Sequence, residues 1–305
     1  STANKLNDLE AYHKNFVVNG FKTVATTETQ VFTNQRVEYN DAKDKKVWEY
    51  SPVSYWDKSA SKYSFYAAAP QTANWNFFND EIKGKYYTIS DFTALGTSLA
   101  LVTLDAPNAA AVFGDEDLMI ATDIDEHTTF TTEAVNFTFN HILSRFNIAI
   151  STSIKDATVT LTSLTVNGIA NTGSFDGSKA AVQAGSTARW TASGSATLTA
   201  VKGESGADVV VNASKQFIYQ GLVIPQVASV ETINLDGTTT ETKPYLNIEY
   251  TITTGGSNTQ SYSYYYNLAD LFNGAGTADL SFNEGWQNNL YITIGAAAIN
   301  FDAQV

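Results

Sequence analysis

Between Val135 and Ile150 a two-residue alternation of apolar side chains changes phase in mid-run. Val135, Phe137, Phe139 and His141 alternate with Asn136, Thr138 and Asn140, as a half-buried strand requires. After Ile142-Leu143 the apolar residues Phe146, Ile148 and Ile150 take the other parity. A plain continuation would turn one of the two sets to water. The chain must therefore bulge here, or leave one sheet for another at the edge of a sandwich or domain.

Similar short runs recur along the chain, separated by turn clusters. Phe16-Val-Val, Thr29-Gln-Val-Phe-Thr and Lys46-Val-Trp-Glu-Tyr read as strands, with a loop at Asn40-Asp-Ala-Lys-Asp. Lys62-Tyr-Ser-Phe-Tyr-Ala-Ala-Ala stops at Pro70, and Leu118-Met-Ile-Ala follows a mixed stretch over 72–117. Later strands are expected from Thr158, Ala196, Phe217, Tyr245, Ser261, Leu290 and Ile299. Turns are expected at Asn167-Gly, Asp176-Gly and Asp236-Gly. Helix is confined to a short piece near 106–112 and one turn at Asn267-Leu-Ala-Asp-Leu-Phe. Many short strands with almost no helix make this an all-β chain built of β-sandwiches.

A chain of 305 residues, 43% hydrophobic, exceeds what one ordinary sandwich needs, which suggests two domains. Residues 1–130 hold 29 charged residues, whereas the 175 residues of 131–305 hold 20. The boundary is accordingly placed near 130. The net charge of −13 disfavours nucleic acid and basic-patch membrane binding, both of which need clustered Lys and Arg. Cysteine is absent, so disulfides, thiolate metal sites and cysteine nucleophiles are excluded. No apolar run reaches the length of about 18 residues that a membrane-spanning helix takes. The start, Ser1-Thr-Ala-Asn, has neither the basic nor the apolar part of a signal peptide. If the protein is exported, that segment has been removed.

Nothing in the sequence singles out catalytic chemistry. His13 lies in a polar start without a metal-spaced partner. His127 follows Asp123-Ile-Asp125-Glu126, which lacks the loop glycine and distal glutamate of an EF-hand and reads as a solvated turn. Asp115-Glu116-Asp117 reads the same way. His141, inside an apolar strand, is expected to be a packed imidazole bonded to backbone or a neighbour. No nucleophile elbow, HExxH, phosphate loop or dinucleotide motif occurs. The expectation is a protein that is not an enzyme and carries no metal or cofactor. Trp48, Trp56, Trp75, Trp190 and Trp286 fit core and corner positions, although they and the tyrosines of 261–266 could also stack on sugar rings.

Four groups of residues, in order along the chain, resemble the fimbrillin-like family, the type V pilin subunits of Bacteroidales. Trp48-Glu-Tyr-Ser-Pro-Val-Ser-Tyr-Trp56 precedes Tyr63-Ser-Phe-Tyr-Ala-Ala-Ala-Pro70. Asp117-Leu-Met-Ile-Ala-Thr precedes Val135-Asn-Phe-Thr-Phe-Asn-His-Ile-Leu-Ser-Arg145. Leu222-Val-Ile-Pro225-Gln226 ends a strand. Gly285-Trp286, Asn289-Leu-Tyr-Ile-Thr-Ile and Ile299-Asn-Phe-Asp-Ala close the chain. The resemblance implies two transthyretin-like sandwiches, export as a lipoprotein precursor and assembly in a fimbria on the outer surface. A lipoprotein's lipidated cysteine is not part of this sequence.

The resemblance also implies a mechanism, in which a trypsin-like protease removes an early strand. The apolar groove left behind is then filled by a terminal strand of another pilin subunit. On that reading Phe16–Val24 is the removable strand, and a scissile loop lies within Thr26–Arg36. Arg36 is the candidate processing residue and Lys22 the alternative. Ile299, Phe301, Ala303 and Val305, on one face of the last strand, form the candidate donor. The rival expectation is a tip, anchor or glycan-binding surface adhesin that does not polymerise and recognises a host or bacterial surface ligand.

Overall fold

Hydrogen-bonded ladders form where the apolar alternation is strongest. The structure, a computed structural model, describes residues 13–42, 47–72, 74–94, 96–103, 117–121, 126–127, 134–179, 189–201, 208–228, 244–274 and 279–304. The expected helix near 106–112, the acidic residues 115–116 and 123–125, the Asp236 turn and Val305 lie outside these residues.

In chain order the first strands are β1 (Asn15–Val24), β2 (Thr27–Asn40), β3 (Val47–Glu49), β4 (Lys62–Ala69), β5 (Trp75–Asp80), β6 (Gly84–Thr93) and β7 (Gly96–Thr103). There follow β8 (Met119–Ala121), β9 (Glu126–His127), β10 (Phe139–His141), β11 (Ser144–Thr152), β12 (Ala157–Ile169), β13 (Thr172–Asp176), β14 (Trp190–Ser193) and β15 (Ala196–Val201). The last are β16 (Val209–Val210), β17 (Gln216–Val223), β18 (Gln226–Ala228), β19 (Tyr245–Thr254), β20 (Asn258–Asn267), β21 (Leu280–Phe282), β22 (Gln287–Ile294) and β23 (Ile299–Gln304), with a short helix α1 (Leu268–Asn273) after β20. The fold is all-β with little helix, as expected.

The chain separates into two compact units. The first holds the described residues of Ser1–Ser90, Gly114–Ile142 and Phe175–Ala181; the second holds those of Asp91–Phe113, Leu143–Ser174 and Val182–Val305. The main crossing falls between Ile142 and Leu143, and shorter segments change unit on either side of it. That crossing is where the apolar phase changes. β10 belongs to the sheet of the first unit and β11 to a sheet of the second. The phase change thus marks a strand leaving one sheet for another.

The first unit is built on a seven-stranded sheet in the order β10-β8-β4-β1-β2-β3, with β9 also on β4. One face of β1 and β4 packs into a cluster containing Phe16, Val18, Tyr63, Phe65, Ala67, Met119 and Phe139. The other face meets the antiparallel β5–β6 hairpin through Phe77, which stacks on Phe21 at 6.0 Å. This hairpin lies in the stretch whose sequence read as mixed. Its outward side carries a second aromatic pair, Phe78 on Tyr86 at 5.5 Å, and this removes the polar half of the alternation.

The second unit is a sandwich of two five-stranded sheets, β23-β22-β11-β17-β7 and β15-β12-β19-β20, with β16 also on β12. Phe146, Ile148, Ile150, Leu161, Leu164, Leu246, Ile248, Leu290 and Ile292 fill its core. β11 runs parallel to β22 and antiparallel to β17. Asn167-Gly168 is not the expected turn. It lies inside β12 at a register shift, where Gly168 supplies φ = 82°, so the dipeptide serves a bulge rather than a hairpin. The Asp176-Gly turn is present, and Asp176 Oδ1 accepts from Ser178 N at 3.0 Å. The single expected helical turn is α1, capped by Asn267 Oδ1 on the amides of Ala269 and Asp270.

Candidate functional site

β1 is a central strand with both edges and both faces occupied. Its register runs from Asn15↔Glu38 to Val24↔Thr27 against β2, and from Val17↔Ala68 to Thr23↔Lys62 against β4. Phe16 packs among Trp48, Phe137 and Phe139 with ring centroids 5.0, 5.8 and 5.3 Å away. On the opposite face Phe21 is 2% exposed, and the Lys85 ammonium sits 4.7 Å from its ring centre. Withdrawing such a strand leaves a slot between β4 and β2, lined by apolar side chains and by two rows of unpaired backbone groups.

The middle of β1 is polar. Asn19 is 1% exposed and uses its whole amide. Its Nδ2 donates to Asn34 Oδ1 and to the Tyr87 hydroxyl, each at 2.9 Å. Its Oδ1 accepts from Gln30 Nε2 and from the Asn34 backbone N–H, each at 3.0 Å. The Tyr87 hydroxyl in turn donates to the Tyr66 carbonyl at 3.1 Å, and burial pushes its ionisation above the ordinary tyrosine range. The ladder explains the need for this side chain. Between Val18↔Gln35 and Gly20↔Phe32, β2 has two residues opposite Asn19 alone. Asn34, at φ = 45°, bulges outward, and its N–H reaches the Asn19 side chain.

Lys22 lies inside β1, paired with Thr29 on one side and Tyr63 on the other. Its ammonium donates to Asp57 Oδ2 at 2.7 Å. That bond raises the lysine and, with the Ser59 hydroxyl and amide, holds the Asp57 carboxyl well below the usual carboxylate range. Arg36 lies in β2 opposite Val17, with Nε donating to Glu38 Oε1 at 2.6 Å and Nη1 donating to Gln71. The expected loop over Thr26–Arg36 is therefore corrected. The connection is the two-residue turn Ala25-Thr26, and β2 starts at Thr27. The loop is implied by the resemblance alone; the residues themselves read as a strand from Thr29, and Thr27–Gln30 are exposed on both faces of that strand.

β23 is the terminal strand of its sheet and runs antiparallel to β22 from Ile294↔Ile299 to Asn289↔Gln304. Ile299, Phe301 and Ala303 pack against the core of the second unit, and Phe301 meets Tyr266 edge-on at 4.7 Å. Asn300, Asp302 and Gln304 are exposed. The three described candidate donor residues share one face, and Val305 is beyond the described residues.

The residues that carried the resemblance meet within their own units. His141 Nδ1 is 2.9 Å from Asp117, so this histidine has a carboxylate neighbour. Asn288 Nδ2 donates to Ser144 Oγ at 3.0 Å, Gly285 N to Leu143 O at 2.9 Å and Arg145 N to Trp286 O at 2.9 Å. Gln226 brackets Ala170, donating to its carbonyl and accepting from its N–H at 2.8 Å each. His13 is buried, and His127 is in β9. Trp75 and Trp190 are core residues, and Trp48 and Trp56 pack on the core of the first unit. Tyr262, Tyr264 and Tyr266 form one row with Tyr250, whose hydroxyl is pushed up to about 12 by burial and its tyrosine neighbours. Tyr264 is 40% exposed. Among the described residues no group of three His, Asp or Glu is arranged to hold a metal ion. No helix among them is long and apolar enough to cross a membrane.

A family model described as fimbrillin-like matches residues 7–304. No curated protein matches the sequence. Among solved structures the chain is similar to a candidate cell adhesion protein of Bacteroides uniformis, at 16% identity and a TM-score of 0.49, covering 96% of this chain and 91% of that one. It is also similar to a second from Bacteroides ovatus, at 10% identity and 0.45, covering 96% and 86%. A third, from Bacteroides fragilis, has 10% identity and 0.42, covering 95% and 83%.

Proposed function

The chain belongs to the fimbrillin-like family, a family of fimbrial and adhesive cell-surface proteins, and from that premise we propose that it is a fimbrial subunit assembled by β-strand exchange. One observation supports this above the others: β1 is a complete central strand, joined to its neighbour β2 by a two-residue turn. Proteolysis at Arg36 severs β1 together with the Thr27–Arg36 part of β2, whereas a cut at Lys22 severs β1 up to that residue and leaves β2 in place. The slot then accepts another subunit's strand, whose backbone completes the ladder to β4, and that to β2 where β2 remains, and whose side chains fill the pockets of Phe16, Val18 and Phe21. In the same scheme β23, an edge strand with one apolar face, is the segment this chain offers to a neighbour. The subunit is exported as a lipoprotein precursor, is processed by a trypsin-like protease at the outer membrane, and has no catalytic role or cofactor.

Limited trypsin digestion of the folded protein, with cuts mapped by mass spectrometry, tests the reading. A single early cut between Lys22 and Lys46, followed by release or replacement of the β1 peptide, is the expected result. Resistance throughout that region removes the activation step. A second reading, a surface adhesin binding glycans, draws on the tyrosine row of β20 and its exposed Tyr264. It requires a measurable sugar affinity that is lost in Tyr264→Ala.

A further inference from the structure

The slot occupied by β1 is not uniformly apolar, and this restricts what can fill it. At the level of Tyr66, opposite the bulge in β2, it presents the Tyr87 hydroxyl, the Asn34 N–H and the Asn34 and Gln30 side-chain amides. Together these supply two donors and two acceptors, the complement of one primary amide. One residue further along β1 the space is closed. A Cβ at Gly20 would lie 2.7 Å from Phe32 Cδ2 and 2.9 Å from Phe65 Cδ1, and the Phe65 ring is 4% exposed. The slot therefore holds an amide-sized polar hole beside a position with no room for a side chain.

β23 does not answer to that shape. Read in the direction of β1, Asn300 in the hole puts Phe301 against Phe32 and Phe65; read in reverse, it puts Ile299 there. Asp302 in the hole buries a carboxylate against Asn34 Oδ1 and places Ala303 or Phe301 in the closed position. Gln304 is followed by Val305 and preceded by Ala303. β23 has no glycine. Elsewhere in this chain Asn-Gly recurs at Asn167-Gly168, in the middle of β12, and at Asn273-Gly274, at the end of α1.

Accepting the strand-exchange reading with a cut that leaves Thr27–Arg36 in place, as at Lys22, we infer that Asn19 and Gly20 determine specificity at the acceptor slot. Its partner is a strand from an unlike subunit, carrying an amide side chain followed by glycine within an apolar run. The chain's own β23 is destined for a different groove. A fimbria containing this subunit then alternates or terminates at it rather than repeating it. The physical basis is asymmetric: a matched amide gains little over water, but an apolar residue leaves the Tyr87 hydroxyl and Asn34 amide facing it without a full set of partners. A side chain at the glycine position must also displace two aromatic rings from a packed core.

The test uses the full chain with a foreign protease site at the Ala25-Thr26 turn, cut there and left intact elsewhere. Fluorescent peptides are offered in excess, and uptake is followed by anisotropy and native mass spectrometry. The peptide of the Asn15–Val24 sequence is expected to exchange in. Versions with Asn19→Leu or Gly20→Val should bind at least about tenfold more weakly, and a peptide of the 299–305 sequence should not compete. Equal binding by the Asn19→Leu and Gly20→Val peptides overturns the inference, as does competition by 299–305 or a homopolymer ladder from the cut chain alone. The strand-exchange reading survives each of those three results. If no peptide enters, the wild-type sequence included, strand exchange itself fails and takes the specificity with it.

Discussion

Replacing Gly20 with alanine adds one methyl group to the centre of β1 and probes how tightly that strand is enclosed. Carbon atoms in ordinary contact are about 3.5–4.0 Å apart, so distances of 2.7 Å to Phe32 and 2.9 Å to Phe65 fall short by roughly 0.6 Å or more on two sides. Phe32 is half-buried and rests edge-on against Tyr50 at 5.3 Å, which leaves it some freedom. Phe65 is clamped between Phe32, Tyr63 and Trp56, with centroids 6.0, 6.0 and 6.1 Å away. Overpacking of this kind costs about 1–3 kcal/mol. Alanine also narrows the unfolded ensemble, which offsets roughly 0.4–1 kcal/mol, for a net loss of about 1–2 kcal/mol. With two units a single global transition is not assured. The readout is therefore amide hydrogen exchange of β1 and β4 peptides across a urea series, together with the melting transition assigned to the first unit. That transition should fall by roughly 2–8 °C. In a Phe32→Ala background, where one obstructing ring is gone, the added cost of Gly20→Ala should shrink to less than about half. Unchanged or increased stability of Gly20→Ala refutes the claim that this position is closed.

Two acidic residues should give opposite pH dependences. Asp57 is held low by Lys22 and Ser59, so its contribution is fully present above the ordinary carboxylate range and is lost as pH falls from there through its lower folded value. Asp57→Asn should flatten the acid side of the first unit's stability profile in urea titrations at several pH values. Glu284 is raised from its ordinary 4.5 by burial, against the pull of Arg189. Its contribution is fullest below 4.5 and declines as pH rises through its folded value, so Glu284→Gln should remove a decline from the second unit's profile while lowering stability overall by leaving Arg189 without its carboxylate. Phe301→Ala removes a half-buried ring from β23 and its edge-on contact with Tyr266. It should cost about 1–2 kcal/mol, seen as faster amide exchange in 299–304 with the core strand β11 unchanged.

Much of this architecture is legible in the alternation. β4, β19, β22 and β23 each carry apolar side chains at every second position, and β12 does so between its register shifts. The phase change after Leu143 marked a real change of sheet. The β5–β6 hairpin was hidden because Phe78 and Tyr86 sit outward where the pattern calls for polar residues. Thr27 and Glu28 at the start of β2 were hidden for the opposite reason, that end of the strand being polar on both faces. Asn-Gly at 167–168 misled because the same left-handed glycine serves a bulge as well as a hairpin turn. At the candidate site, the order of apolar residues marked β1 and β23. It could not mark Asn19 as a fully bonded amide, because three of its partner residues (Gln30, Asn34 and Tyr87) come from β2 and β6, at separations of 11, 15 and 68 residues. The available signal was the Asn-Gly pair itself, an expensive choice inside an apolar strand unless the backbone or a partner demands it.

Placing Arg36 in a strand does not protect it equally from proteolysis along both edges. β2 pairs with β3 through Glu38, Tyr39 and Asn40 alone. From Thr27 to Val37 its ladder is to β1, and among the described residues its other edge carries no strand. Most side chains along that stretch are exposed, with Val37 the one that is buried. Peeling Thr27–Arg36 outward therefore breaks one ladder and uncovers little apolar surface. Removing β1 before any cut would break two ladders and expose Phe16, Val17, Val18 and Phe21 together. Local opening of β2 is thus the lower-energy route for a protease, and it reaches Arg36 while Lys22 is still held in the ladder to β4 opposite Tyr63. Native-state hydrogen exchange should show amides of 27–36 exchanging at least about tenfold faster than those of β1 and β4, with trypsin cutting first at Arg36. Equal protection of β2 and β1, or a first cut at Lys22, would mean that the hairpin opens as a unit and that β1 leaves its slot before it is severed.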